Sequence, residues 1–271
     1  MVTLDYFLVY MGIGVFTGLM AGLLGVGGGA IAVPLLLWVF DLQEINSEIA
    51  THMALATALA AMVLTSISST YAHASKKAVL WPVFFKLNVG VIFGSIIGVV
   101  TVVEISGSAL QIAFGIFLAC LAIQMAFGLS PAPSAKLPSG PGLLGAGGVI
   151  GCVSMFFGIG GGSLTVPFLI YSGVTPVKAI GTSAALGLPI AVWGTVLYAA
   201  NGWNHTLMPE YSFGFVYGPA VTGIIIISPI FARLGAKIAH RMNSDQLRQA
   251  FGVTLAIVAG MIVLQNLSRY L

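Results

Sequence analysis

The chain has 271 residues, of which 58% are hydrophobic and only 6% are charged. A soluble domain carries roughly 25% charged residues, and 10 basic plus 7 acidic side chains cannot cover a soluble protein of this size. The composition therefore excludes a soluble globular class and predicts a protein whose solvent is lipid. The net charge of +3 is too small to indicate a nucleic-acid partner, and it is better explained as an orientation signal carried by the loops.

Apolar segments follow one another along the whole chain. No Asp, Glu, Lys or Arg lies between Gly142 and Val177, or between Tyr211 and Ala232. Each of these two runs exceeds the roughly 20 residues that span the hydrocarbon core of a bilayer. The predicted membrane segments are about 5–40, 49–72, 83–103, 108–128, 142–171, 176–200, 211–232 and 246–268.

Three motifs of the first half recur in the second half in the same order. They are GVGGGAIAVPL (25–35) against GIGGGSLTVPF (158–168), ATH (50–52) against GTS (181–183), and LQIAFGI (110–116) against LRQAFGV (247–253). Three ordered matches with similar spacing indicate an internal duplication. The sequence therefore predicts two membrane repeats, residues 1–128 and 142–271, joined by a cytoplasmic linker at 129–141 that is rich in Pro and Ser.

Both glycine motifs lie inside long apolar segments, and Gly-x-Gly-Gly-Gly is too rich in glycine for a regular helix. Residues 142–157 and 161–171 make helices of about 24 Å and about 17 Å, shorter than a core of roughly 30 Å. If both glycine segments return to the side from which they entered, or cross twice, the basic loops lie inside as the positive-inside rule requires. The predicted fold is an all-α polytopic membrane protein of two inverted repeats. Each repeat has a glycine-broken helix, re-entrant or discontinuous, followed by three transmembrane helices.

A helix that restarts at a glycine break presents free N–H groups and the positive end of its dipole. Such an end is an anion-binding site, and inverted repeats with broken helices are the architecture of many secondary transporters. No acidic residue lies deep in any segment, so a cationic substrate has no evident counter-charge. The pattern favours a small anion, although close helix packing is an alternative role for the glycines.

The candidate substrate-binding residues are the glycines of both motifs and the polar residues of the second match. Thr51, Thr182 and Ser183 have an alternative role as donors to their own helix carbonyls. His52 either has a structural or interfacial role or titrates near the pathway. The candidates are Gly25, Gly27, Gly28, Gly29, Thr51, His52, Gly158, Gly160, Gly161, Gly162, Thr182 and Ser183.

The paired Gly-x-Gly-Gly-Gly-(x)3-Val-Pro elements, each followed by a Thr-bearing helix, resemble the TauE/SafE sulfite exporter family over nearly the whole chain. The resemblance implies a multi-pass permease of the bacterial inner membrane for sulfite or organosulfur anions such as sulfonates, with export as the expected direction. Ala50-Thr51-His52 departs from the usual Gly-Thr-Ser form, which predicts altered selectivity or pH response.

A passive anion channel and a carrier of small carboxylates are the alternative functions. No paired intramembrane aspartates, HExxH motif or Ser-His arrangement on facing helices is present, so we expect no enzyme activity. We also expect no catalytic residue, metal site or dedicated cofactor. The expected partners are a small anionic substrate and the lipid bilayer, with no nucleic acid. The charge pattern predicts that both termini lie outside the cytoplasm, and the sequence does not indicate an oligomeric state.

Overall fold

The computed structural model describes residues 4–24, 28–127, 136–239, 252–253, 255–260 and 262. These residues are mainly α-helical, and one short two-stranded sheet interrupts the helices. The helices are α1 (Leu4–Leu24), α2 (Gly29–Leu42), α3 (Ser47–Ser75), α4 (Trp81–Val103), α5 (Gly107–Phe127), α6 (Gly140–Phe157), α7 (Gly162–Tyr171), α8 (Pro176–Gly202) and α9 (Gly218–Ala239).

Seven of the helices in the described part of the chain are long and apolar enough to cross a membrane: α1, α3, α4, α5, α6, α8 and α9. The other two are shorter. The 14 residues of α2 and the 10 residues of α7 correspond to lengths of about 21 Å and about 15 Å. The structure makes α6 two residues longer at its start than the sequence predicted, so this helix has 18 residues. The protein is therefore a multi-pass membrane protein.

Local sequence signals mark where several of these helices begin. The side chain of Asn46 accepts a hydrogen bond of 2.9 Å from the backbone N–H of Glu48, which caps the first turn of α3. A proline stands in the first turn of α4, α6 and α8, where its missing N–H costs no intrahelical bond. These signals fix the first residues of α3, α4, α6 and α8.

Each short helix brings the chain back to the end from which the preceding helix started. The Tyr6 hydroxyl near the start of α1 donates to the carbonyl oxygen of Leu42 at the end of α2. In the second half, Gly147 of α6 packs on Leu87 near the start of α4, while Gly181 of α8 packs on Ala78 just before α4. Both helix pairs, α1–α2 and α6–α7, therefore start and finish at one end of the bundle.

The two ends of the bundle carry opposite charges. The carboxylates of the described residues lie at helix ends or loops on the side where α1 starts, which we name the acidic end. The cations of the described residues lie on the other side, the basic end, where α4, α6 and α8 start and α9 finishes. The acidic end holds Asp5, Asp41, Glu44, Glu48, Glu104 and Glu210; the basic end holds Lys76, Lys77, Lys86, Lys136, Lys178, Arg233 and Lys237.

Two parallel helix pairs flank the centre and use the same contacts. In α1 against α9, Gly14 packs on the backbone of Ile224 and Gly18 on that of Ser228. In α6 against α4, Gly147 packs on the backbone of Leu87 and Gly151 on that of Val91. Aligning the repeated motifs matches these residues pair by pair. Small residues allow such close approach of membrane helices, so the two halves pack by equivalent contacts.

The longest helices, α3 and α8, cross at the centre in antiparallel directions. The Thr70 hydroxyl of α3 donates to the Ala184 carbonyl of α8 at 3.2 Å. Further along α8, Gly194 packs against Leu59, which precedes Thr70 by eleven residues in α3. The Thr57 hydroxyl accepts a bond of 3.0 Å from the backbone N–H of Tyr217. The α3 span is the most enclosed of the candidate membrane spans, and the polar residues of its first half, Thr51, His52 and Thr57, are buried within the protein.

The predicted membrane segment at 211–232 is wrong at its start, because residues 212–217 form a β-hairpin. Strands β1 (Ser212–Phe213) and β2 (Val216–Tyr217) pair antiparallel. Gly214 in the turn has a φ of 56°, a value that glycine adopts without strain, and a Cβ there would overlap the carbonyl oxygen of Ala199. The all-α prediction therefore misses one small hairpin that packs on the end of α8.

Candidate functional site

The second glycine run lies between α6 and α7. Gly158 ends α6 with a φ of 60° and Gly161 precedes α7 with a φ of 73°, the left-handed region in which other residues are strained. At the start of α7, the first backbone N–H that has an acceptor within the helix is that of Leu164. It donates to the Gly161 carbonyl oxygen at 3.1 Å. The amides of Gly161 and Gly162 precede it and have no intrahelical acceptor available.

The two glycine runs touch each other. Gly29, the first residue of α2, packs so closely on Gly158 that a Cβ on Gly29 would overlap the Gly158 carbonyl oxygen. Gly28 faces Thr17 of α1, where a Cβ would lie 3.0 Å from the Thr17 Cβ. Gly25 and Gly27, which the sequence predicted as site residues, lie outside the described residues. The structure therefore brings Gly29 of the first motif against Gly158 of the second.

Thr51 and His52 lie elsewhere, near the acidic end. The Thr51 hydroxyl donates to the Gly107 carbonyl at 3.1 Å and accepts from the Gln111 side chain at 2.9 Å. One ring nitrogen of His52 lies 3.1 Å from the Val102 carbonyl oxygen. Both residues are buried within the protein, and the bonds of His52 near the acidic end agree with the structural or interfacial role that is one of its two predicted roles. The hydrogen bonds of these two side chains connect α3 to α4 and α5.

Thr182 and Ser183 lie near the basic end and differ in their bonding. The Thr182 hydroxyl accepts a hydrogen bond of 2.9 Å from the backbone N–H of Leu80, which satisfies the start of α4. The Ser183 hydroxyl is only 1% exposed and has no hydrogen-bond partner among the described residues. A buried hydroxyl without a partner costs free energy. Other buried hydroxyls of the described residues, such as Ser95 and Ser154, also have no partner, but Ser183 is the one that lines the cavity described next.

A cavity of about 200 Å³ lies beside Ser183. It is enclosed by the last turns of α1, the second half of α3, the early turns of α8 and the last turns of α9, and it reaches Gly160 of the glycine run. Met62 and Gly160 lie at its buried inner end, while the exposed Arg233 marks its mouth. The polar residues around it are Thr65, Ser66, Ser68, Ser69, His73, Ser183 and Arg233.

The cavity is suited to a negatively charged ligand. None of the described residues that line it is a carboxylate, whereas Arg233 supplies a permanent positive charge. Hydroxyl groups cover its α3 wall, and a hydroxyl both donates and accepts hydrogen bonds. Along α3, the lining runs from Met62 to His73, a distance of about 16 Å at the helical rise. An anion of a few heavy atoms fits this space.

Sequence reasoning placed only Gly160 and Ser183 of this cavity and missed its α3 wall. A run of hydroxyl residues, Thr65-Ser66-Ile67-Ser68-Ser69-Thr70, was visible inside an apolar segment and is the signal that points to it. The predicted segment 49–72 ends before His73, whereas α3 continues to Ser75 and includes His73 in its last turn. The predicted segment 211–232 leaves Arg233 in a basic loop, whereas the structure includes it in α9 and at the cavity.

The bundle of spanning helices surrounds a cavity that carries hydroxyl groups and Arg233, an arrangement typical of a membrane transporter. The chain belongs to the TauE/SafE sulfite exporter family, whose family model matches residues 10–262.

The chain is also similar along its whole length to curated proteins named probable membrane transporter protein. One from Haemophilus influenzae is 30% identical over 255 residues, covering 94% of this chain and 97% of the relative. One from Xylella fastidiosa is 30% identical over 275 residues, covering 95% of each chain. One from Methanocaldococcus jannaschii is 26% identical over 251 residues, covering 91% of each chain. No solved structure matches the chain.

Proposed function

We propose that this membrane transporter is a secondary transporter that exports sulfite, a sulfonate or a related small sulfur-containing anion. The anion binds in the cavity beside Gly160 and Ser183, where the two proposed repeats, residues 1–128 and 142–271, meet. The linker at 129–141 lies in the cytoplasm. The family name supports sulfur oxyanions as the substrate class, and a carrier of small carboxylates is the second candidate, because hydroxyl and amide donors bind carboxylates equally well.

The observation that carries the proposal is the Ser183 hydroxyl, which has no hydrogen-bond partner in the described part of the chain and belongs to a cavity whose described lining includes no carboxylate. The cavity touches the glycine run at Gly160, next to the amides that precede α7. The positive end of a helix dipole and free amides both favour an anion. The contact between Gly29 and Gly158 supports a role for both glycine motifs, because each holds the backbone of the other.

The separation of charge supports an orientation with the basic end in the cytoplasm of a bacterial inner membrane. Both termini then lie outside, and the equivalent contacts of α1–α9 and α6–α4 support inverted repeats. The cavity, whose mouth is at Arg233, opens toward the cytoplasm in this orientation. The membrane potential, negative inside, helps to expel an anion by about 2.3 kcal/mol per charge per 100 mV.

Cysteine labelling tests this orientation. We expect Asn204→Cys to react with a membrane-impermeant maleimide on intact cells, while Ser75→Cys and Ser139→Cys react only after permeabilisation. All three positions are exposed, and the native Cys120 and Cys152 are first replaced by serine. Labelling of the Ser75 or Ser139 variant on intact cells refutes the proposed orientation.

Ser183→Ala is expected to weaken sulfite binding about fivefold, because one hydrogen bond from a hydroxyl contributes about 1 kcal/mol. The variant should fold normally, since Ser183 has no hydrogen-bond partner among the described residues. The matched control is Ser95→Ala in α4, because Ser95 is equally buried and equally unpartnered but does not line the cavity. Affinity is measured on purified protein. Equal affinities of both variants and the wild type remove Ser183 from the site.

The substrate is tested by ligand-induced thermal shift on purified protein, because a ligand that binds only the folded state raises the unfolding temperature. Sulfite, sulfate, thiosulfate, taurine, sulfoacetate and small carboxylates are compared. We expect sulfur oxyanions to give the largest shifts. Saturable flux and exchange in proteoliposomes support a carrier, whereas non-saturating flux supports the passive channel. Stabilisation by carboxylates alone overturns the sulfur-anion assignment.

A further inference from the structure

Arg233 carries a positive charge that no described carboxylate neutralises. It lies in the last turns of α9 at the basic end, whereas the carboxylates of the described residues lie at the acidic end, across the bundle. Its side chain is exposed at the mouth of the cavity, which also includes His73 from α3. The described residues around the mouth therefore offer the guanidinium group hydroxyl, imidazole and backbone acceptors but no carboxylate.

The position of Arg233 is more specific than the general enrichment of cations at a cytoplasmic membrane surface. Lys237 stands one helical turn later in α9 and is also exposed, yet it does not line the cavity. The two residues share a helix, a charge and a membrane end. They differ in that only Arg233 lines the cavity. A substitution of Lys237 therefore shows what the loss of one positive charge at this membrane end does by itself.

The chemistry of arginine defines the ligand that this position suits. A guanidinium group is planar and donates two parallel hydrogen bonds to two oxygens of one oxyanion. A halide has no pair of oxygens and gains only the Coulomb attraction. An arginine at the mouth therefore binds sulfite, sulfonate and carboxylate ions more tightly than chloride. Hydroxyl groups further inside bind either kind of anion.

We propose that Arg233 is a specificity-determining residue that binds the incoming oxyanion at the mouth of the cavity and selects oxyanions over halides. His73 lines the same mouth from α3 and keeps it polar. This inference rests on the proposed function, because it assigns the entry position of the same anion pathway. The anion binds first at Arg233 and then moves inward along the hydroxyl wall of α3 toward Ser66 and Gly160.

The test measures sulfite transport in proteoliposomes for four proteins: wild type, Arg233→Gln, Arg233→Lys and the control Lys237→Gln. We expect Arg233→Gln to raise KM about fivefold, the size of a well-placed charge interaction near the surface, with kcat within about twofold of wild type. Arg233→Lys should restore part of the affinity but not the preference for sulfite over competing chloride, because lysine lacks the fork. Lys237→Gln should match wild type.

The outcomes separate this inference from the function on which it rests. Equal KM values for Arg233→Gln and Lys237→Gln overturn the role of Arg233, while a weakened Ser183→Ala still supports the cavity as the site. Wild-type protein that neither binds nor transports any oxyanion overturns the proposed function and this inference together. If Arg233→Gln does not accumulate in the membrane, Arg233→Lys decides: an unchanged ratio of sulfite affinity to chloride affinity overturns the proposal.

Discussion

Gly161→Val is expected to cause a large loss of transport. The φ of Gly161 is 73°, and a left-handed conformation costs a non-glycine residue about 1–2 kcal/mol, with a higher cost for a β-branched side chain. A Cβ there would also lie 2.6 Å from the Ile190 Cδ1 atom. The Ile190 side chain can turn away from the added Cβ, but the strain at φ is relieved only if the backbone moves. That movement displaces the amides before α7 together with the neighbouring Gly160. We therefore expect sulfite flux in proteoliposomes to fall at least about tenfold, since 1.4 kcal/mol already corresponds to that factor.

The control for Gly161→Val is Gly145→Ala. Gly145 lies within α6, and a Cβ added there would meet no atom within 4 Å. Alanine is favoured over glycine inside a helix, so this variant should transport as well as wild type or be slightly more stable. Wild-type flux through Gly161→Val, at equal protein in the vesicles, shows that the conformation of the glycine run does not matter for transport.

The membrane class and the family were predictable because both depend on features that a sequence displays directly. The scarcity of charge requires lipid as solvent, and the duplicated glycine motif identifies the family; the family model confirms the family. In the structure α6 ends at Phe157 and α7 begins at Gly162, on either side of the second glycine run. Its part in substrate binding stays a prediction.

The cavity was harder to predict because its walls come from four helices that are distant in sequence. An apolar run does not show which of its faces meets another helix, so the hydroxyl run of α3 looked like part of an ordinary span. The matched pairs Thr51-His52 and Thr182-Ser183 looked equivalent, yet Ser183 lines the cavity and His52 is bonded near the acidic end. Duplicated sequences need not have equivalent surroundings in one conformation.

The hairpin at residues 212–217 shows a different limit of sequence reasoning. Its residues are as apolar as a membrane segment, and hydropathy alone extended the span to Tyr211. The structure turns the chain there because Tyr211 has a φ of 64° and Gly214 one of 56°, while Phe215 packs on Tyr198 with ring centroids 6.4 Å apart. Tertiary packing against α8 therefore decided a conformation that composition did not reveal.

Gly29→Ala is expected to cause a loss of both stability and transport, because Gly29 is the point where the two glycine runs meet. The added Cβ would overlap the carbonyl oxygen of Gly158, and a carbonyl of the main chain cannot rotate away as a flexible side chain does. Inserting a methyl group into a packed interior costs about 1–3 kcal/mol. For a protein of this size, each 1 kcal/mol lowers Tm by about 2–4 °C. Thermal unfolding of purified protein and flux in proteoliposomes measure the two effects.

Gly12→Ala is the matched control for Gly29→Ala, because it adds the same methyl group in the neighbouring helix α1 at a position with no atom within 4 Å. We expect its Tm and flux to equal those of wild type. If Gly29→Ala also equals wild type in both measurements, then the glycine runs do not contact each other in the membrane. If Gly29→Ala loses stability but each folded molecule transports at the wild-type rate, then the contact supports only the fold. The first glycine motif then has no part in the anion pathway. A loss of flux larger than the loss of folded protein is the result that our proposal requires, since only then does the position of Gly158 matter to the ligand.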